Sequence, residues 1–295
     1  MGLIWNRIVT VQVANLKISL EDHDVEATVE NDVTSPSGKS NTGEIVLWNI
    51  NDQFFAALKN GAIIELCAGY ADDSGTIFYG LIEDIDRTRD GADQKTVITV
   101  LDSSVKTKTT DKVAMTYPKG TTVADGVRRV LAAAGVAEGT ISVPNVVFDQ
   151  DTTYTQTLDD QIKHLLDYEN GVLMRDNPST YKTVTDCTRF MVVNNLAYFV
   201  PKNHCTATVI LLSYSTGLLN VSKIKKNIAI ATGDTSSEET YGDYKITSYL
   251  NHAIAIATVV KVDCEEVTGS FRVVSYKHTI SKNDFITEMT VVAVV

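Results

Sequence analysis

The chain has 295 residues, 44% hydrophobic and 21% charged, which allows about two domains with a sizeable core. Its 26 basic and 37 acidic residues leave a formal charge of −11, and this excludes an outer surface built to grip nucleic acid or anionic lipid, since both need clustered positive charge. Seventeen glycines and five prolines exclude a collagen-like or long disordered chain.

The opening Met1-Gly2-Leu3-Ile4-Trp5-Asn6-Arg7 lacks the basic flank and long apolar stretch of a secretory signal. Asn6 stands where a myristoylation motif wants Ser or Thr. The most apolar run, Ala253 to Val260, is far shorter than the ~20 residues that span a bilayer. The expectation is a soluble chain that folds in a cytoplasm and inserts in no membrane.

From there the dominant period is two. Val9, Val11 and Val13, then Leu16, Ile18 and Leu20, then Val25, Ala27 and Val29 alternate with polar residues, the pattern of antiparallel strands with one wet face. After a loop over Val33 to Thr42, strands are predicted at Glu44–Trp48, Ala62–Tyr70, Thr76–Asp86 and Lys95–Leu101, with Asp90-Gly91 turning the last pair. One short helix, 52–59, interrupts them: Asn51 or Asp52 caps it, Phe54, Phe55 and Leu58 line it, and Asn60-Gly61 ends it.

The middle changes character. Thr122 and Asp125 form a capping-box pattern ahead of Val127, Val130, Leu131 and Ala134, with Gly135 as C-cap. Thr157 and Asp160 open a second helix along Leu158, Ile162, Leu165 and Leu166, ended by Gly171; short strands follow at Gly171–Arg175 and Arg189–Val200. The final third returns to strands at Thr206–Leu212, Leu218–Ile224, Ile254–Asp263, Phe271–Ile280 and Phe285–Val294, around an acidic loop at Gly233–Gly242. In the closing strand Phe285, Thr287, Met289 and Val291 share one face.

Residues with chemical potential are scattered. Cys67, Cys187, Cys205 and Cys264 show no C-x-x-C spacing and read as buried reduced thiols. Asp84 and Asp86 share one side of a strand, as a hydrolase acid–base pair would, but read better as a solvated face. Phe148-Asp149-Gln150-Asp151 lacks the remaining ligands of a calcium loop. Asp160, His164 and Asp167 share a helix face, read as an Asp160–His164 surface pair rather than a metal site. His252 and His278 have no partner motif, and Tyr241, Tyr244 and Tyr249 are expected to pack on strands with their hydroxyls at the surface. No catalytic, cofactor-binding or metal-ligating residue is assigned.

Two longer stretches carry a resemblance. Phe54 to Tyr70 gives a helix, Gly61 and a strand ending Gly69-Tyr70, followed by Phe78-Tyr79-Gly80-Leu81-Ile82. Near the end, Phe271-Arg272-Val273 opens a strand that closes with His278, and Phe285-Ile286-Thr287 starts the last one. In this order they resemble phage tail and baseplate hub proteins of the late-control-protein-D-like group.

The resemblance implies a mainly β fold: two tail-tube-like antiparallel β-barrels, 1–110 and 204–295, around an α+β unit at 111–203. It implies no enzyme and no cofactor. The expected role is the structural hub of a baseplate or tail tip in a virion, or in a related contractile injection system, assembled in the host cytoplasm. A homotrimer would present six barrels, matching the sixfold tube to a threefold spike and passing DNA without binding it. Partners would be the tube or tube-initiator protein and the spike or tail-tip protein, with the tape-measure protein and baseplate wedge as further neighbours. The alternatives are a tail-tip adhesin for cell wall or carbohydrate, since Tyr117 to Thr122 resembles the opening of LysM-type modules, and third a cell-wall glycan hydrolase using Asp84 or Asp86.

Overall fold

The computed structural model describes residues 6–32, 42–102, 111–181, 188–194, 196–201, 203–224 and 242–294. Residues 33–41 of the first loop, Cys187, Tyr241 and residues 233–241 of the acidic stretch lie outside them. The fold is mainly β, with large antiparallel sheets, as expected. The chain divides into two compact units, one of residues 1–78, 82–100 and 205–295, the other of 79–81 and 101–204.

The first stretch gives β1 Arg7–Val13, β2 Leu16–Ser19, β3 Val25–Asp32, β4 Thr42–Trp48, α1 Asp52–Ala57, β5 Ile63–Tyr70, β6 Asp73–Asp90 and β7 Asp93–Asp102. The period-two residues do what alternation dictates. Val9, Val11, Val13, Ile18, Val25 and Val29 are buried, and Val11 pairs with Ile18 on one side and Leu66 on the other. Gly91 takes φ 63° in the β6–β7 turn. Asn51 caps α1 by accepting the Phe54 N–H. The helix ends at Ala57, short of the predicted 59, because Leu58 turns extended and is itself buried; the left-handed Gly61 then leads toward β5.

The second unit contains β8 Val113–Tyr117, α2 Val123–Ala134, β9 Ala137–Ile141, β10 Thr152–Gln156, α3 Leu158–Asp176, β11 Thr188–Val193 and β12 Leu196–Pro201. Strand β8 pairs with β10, while β12 pairs with β11 and, in parallel, with β9. Thr122 accepts the Asp125 N–H at 3.0 Å, and the left-handed Gly135 closes α2. Replacing Thr122→Ala is therefore expected to cost about 1 kcal/mol, measured as a lower denaturant midpoint of the second unit.

Helix α3 corrects the sequence reading. It runs through Gly171 to Asp176, so the strand predicted at Gly171–Arg175 is helix. A mid-helix glycine costs about 1 kcal/mol against alanine, but Leu173 beyond it is buried and the Asn170 carboxamide anchors the turn before it to Thr188. The single strand predicted over Arg189–Val200 is a hairpin turned at Asn194, with φ 49°.

The last stretch returns to the first unit with β13 Val209–Leu212, β14 Leu218–Lys223, β15 Tyr244–Tyr249, β16 Val259–Asp263, β17 Thr268–Ile280 and β18 Phe285–Ala293. Strand β16 is shorter than predicted. Ile254 and Ile256 are buried in a turn instead of a strand, with Ala257 at φ 66° and the Thr258 hydroxyl bridging Ala253 and Ala255. Phe285, Thr287, Met289 and Val291 are all buried, on one face of β18. One 13-stranded sheet runs β14-β15-β18-β17-β3-β4-β7-β6-β5-β1-β2, with β16 attached to β17 and β13 to β16. The early and late stretches are thus hydrogen-bonded to each other, from Ala27↔Ile280 to Asp32↔Ser275.

Candidate functional site

Apart from Tyr79–Leu81, which belong to the second unit, the motif residues lie in the first unit, and their chemistry is structural. Gly69, at φ 152°, has no room for a Cβ, which would stand 2.3 Å from the Asp73 carbonyl oxygen. The adjoining Tyr70 meets Phe285 edge-on, ring centroids 5.4 Å apart, and burial pushes its phenol up to about 12. Arg7 lies over the same Phe285 ring and donates to the carbonyls of Ser281 and Lys282. The Gly-Tyr motif of β5 and the Phe-x-Thr motif of β18 are therefore two halves of one contact.

Beside it lies a histidine pair. His278 is 1% exposed, its Nδ1 2.8 Å from the Thr287 hydroxyl. The ring also hydrogen-bonds the Ile254 backbone, an interaction that favours its protonated form and so has the ring as donor; with that N–H engaged, Nδ1 of the neutral imidazole accepts the Thr287 hydroxyl proton, while the same hydroxyl oxygen accepts the Asn251 N–H at 3.3 Å. Burial, helped slightly by His252, lowers the His278 pKa to about 4. His252 stands 3.5 Å from the Asp73 carboxylate and fills the space at Gly75, where a Cβ would meet its ring at 2.3 Å. The pair joins β6, β17, β18 and the turn after β15.

The second unit hides a carboxyl that the sequence reading did not single out. Glu169 is fully buried; one oxygen accepts from the Thr188 hydroxyl at 3.2 Å and the other has no partner. Burial raises its pKa to about 7. The signal was available: Glu169 falls in step with the buried stripe of Leu158, Ile162, Leu165 and Leu173.

The other candidates stay apart. Asp84 and Asp86 are exposed on the outer stretch of β6. Asp160 is occupied by the Thr157 cap and Lys163, so the predicted pairing with His164 gives way to a bond from His164 Nε2 to Gln156 and a stack on Tyr154. Asp151 accepts the Lys119 N–H. Cys67, Cys205 and Cys264 are half-buried rather than buried; Cys67 sits between the inward Leu66 and Ala68, so alternation turns it to the other face. Tyr244 packs edge-on against Phe271, while Tyr249 is largely exposed. The LysM-like stretch is sealed along its backbone, since Gly120 bonds to Phe148 and Phe148 back to Thr121.

Two shallow hollows of about 210 and 260 Å³ flank the β2–β3 turn around Asp22 and His23, smaller than the ~300–1,000 Å³ of most small-molecule sites. Among the described residues no three His, Cys, Asp or Glu side chains are grouped to hold a metal ion, and no helix is long and apolar enough to cross a membrane.

No protein-family model matches the chain, and no curated protein matches it by sequence. Solved structures do. The tail protein from Neisseria meningitidis MC58 matches with a TM-score of 0.61 at 11% identity, over 97% of this chain and 96% of that one. The 43 kDa tail protein of prophage MuSo2 from Shewanella oneidensis gives 0.66 at 9% identity, over 98% and 97%. An Escherichia coli component of the type VI secretion system, described as similar to the T4 bacteriophage tail proteins gp27 and gp5, gives 0.59 at 8% identity, over 96% and 76%. At these identities the likeness is one of fold, and it spans nearly the whole chain.

Proposed function

We propose that this chain, which has the fold of phage tail proteins, is a non-enzymatic structural component of a tail: the hub of a baseplate or tail tip, or of a related contractile injection machine. The observation that carries the proposal is the likeness to tail proteins along almost the entire length of both chains. The likeness to a type VI secretion component supports a place near the junction of tube and spike.

In this reading residues 1–110 and 204–295 are two tube-like barrels and 111–203 an inserted unit. Three chains form a ring of six barrels between tube and spike, with the tape-measure protein and baseplate wedge as further neighbours and DNA passing through the lumen. The formal charge of −11 suits a conduit, because like charges repel at short range and the passing polymer is not held. Tyr70 on Phe285 and the β3–β17 pairing then hold each chain's early and late strands in one body.

Mass in solution tests the assembly. The expected species weighs three times 32.2 kDa and shows a central channel in micrographs. A chain that stays at 32.2 kDa at high concentration, or a trimer with a strongly positive lumen, would overturn the corresponding part of the proposal.

A further inference from the structure

Between β15 and β16, residues 250–258 join no strand, yet Leu250, Ile254 and Ile256 within them are buried. One end of this segment is tied to β18. There the Leu250 N–H bonds to the Phe285 carbonyl and the Asn251 N–H to the Thr287 hydroxyl. At the other end the Ala257 N–H bonds to the Val273 carbonyl of β17, and the Ala257 carbonyl accepts the Thr206 N–H. Ala257 itself stands at φ 66°, a left-handed conformation unfavourable for any residue with a Cβ. Strain is therefore stored at the point where the segment is pinned.

Two histidines grip the middle. His278 of β17 bonds to the Ile254 backbone from beneath. His252, in the segment, lays its ring on Gly75 of β6 and comes within 3.5 Å of the Asp73 carboxylate. The titratable groups gathered here are these two histidines, Asp73 of β6 and Tyr276, whose ring lies 4.8 Å from that of His278. Opposite His278, β3 and β18 bring Val29 and Thr287, and neither carries charge.

The bonding partners of His278, a hydroxyl and a backbone group, are neutral. A further proton on the ring would thus be a buried cation with no counter-charge bonded to it, and burial disfavours that form. Lifting the segment removes the Ile254 bond, returns the imidazole to water and lets Ala257 relax. We infer that residues 250–258 form an acid-released strap, which protons lift from the sheet before the strands beneath it part, uncovering Ile254 and Ile256. The device belongs to the single folded chain and needs no oligomer.

The test is hydrogen exchange of the full chain, read amide by amide by NMR at low urea concentrations and corrected for the intrinsic rate at each pH. The Ala253, Ile254, Ala255 and Ala257 amides should lose protection about 20-fold between pH 7 and pH 5, given a histidine that titrates near 6.5 in the open strap and near 4 in the closed one. Their exchange should respond little to urea, because a local opening exposes little surface, while the β1–β5 amides respond strongly. His278→Gln should flatten the pH profile. Gly75→Ala, whose new Cβ would meet the His252 ring at 2.3 Å, should lower strap protection about 10-fold at every pH by overpacking. Strap protection that stays level with pH, or that shares the urea dependence of the β1–β5 amides, would overturn the strap. Where His278→Gln does not fold, Gly75→Ala decides, and strap protection unchanged by it would overturn the proposal equally.

Discussion

Raising the pH from 5 to 8 is expected to loosen the second unit, and Glu169→Gln to abolish the effect. The carboxyl is buried with one oxygen unpartnered, and burial raises its pKa from 4.5 to about 7. The folded state therefore holds the proton more tightly than the unfolded chain. Below the unfolded value both forms are protonated and nothing changes. Between that value and the folded one, the unfolded chain ionises while the native carboxyl stays neutral, so stability falls as pH rises. Above it the penalty is complete, about 3 kcal/mol. The protection of the α3 and β11 amides, read by hydrogen exchange and mass spectrometry and corrected for the intrinsic base-catalysed rate at each pH, should fall across this window in the wild type and stay flat in Glu169→Gln. A flat wild-type profile would remove the buried carboxyl as the cause, as would an unchanged slope in the variant.

The first unit is expected to respond in the opposite sense, through His278. Its folded pKa is depressed from 6.5 to about 4, chiefly by burial, so the native imidazole resists a proton that the unfolded chain accepts. The stability it contributes is fully present above the unfolded value and is lost as pH falls toward the folded one, again about 3 kcal/mol. Ring resonances of labelled histidine should show His278 neutral down to about pH 4, with the strands around it opening as that limit is approached. Titration of His278 near the ordinary histidine value in the folded protein would defeat the account. Thr287→Val adds a second readout: it removes the hydroxyl that donates to Nδ1 and should lower neutral-pH stability by about 1–2 kcal/mol through an unsatisfied ring nitrogen.

Strand identity was legible wherever one face met water. Val9 to Val29 and Phe285 to Val291 alternate because β1, β2, β3 and β18 bury one face, and periodicity reports that arrangement directly. Legibility failed where burial was two-sided or local. Ile254 to Val260 is apolar but for Thr258, yet only Val259 onward is strand, since a buried turn needs the same residues. Gly171 was read as a helix end because local propensity disfavours it, while the tertiary anchors at Asn170 and Leu173 decide otherwise. Strand β15 pairs with both β14 and β18 but announces itself only as two tyrosines beside an acidic stretch. The motif glycines and His278 were visible as letters. Their meaning was not, because each acts on a residue distant in the chain: Gly75 on His252, Tyr70 on Phe285.

The pairing of β3 with β17 sets the timing of folding. Asp32 and Ser275 lie 275 − 32 = 243 residues apart, and closing so long a loop is slow because its entropy must be lost before the contact rewards it. During synthesis β3 leaves the ribosome long before its neighbour exists, and waits with one edge unpaired. The second unit, whose strands and helices meet over much shorter spans, can condense in the interval and so shorten the loop that remains. The vulnerable moment of this chain is therefore its nascent one, when the apolar face of the early strands is made but the strands that complete their sheet are not.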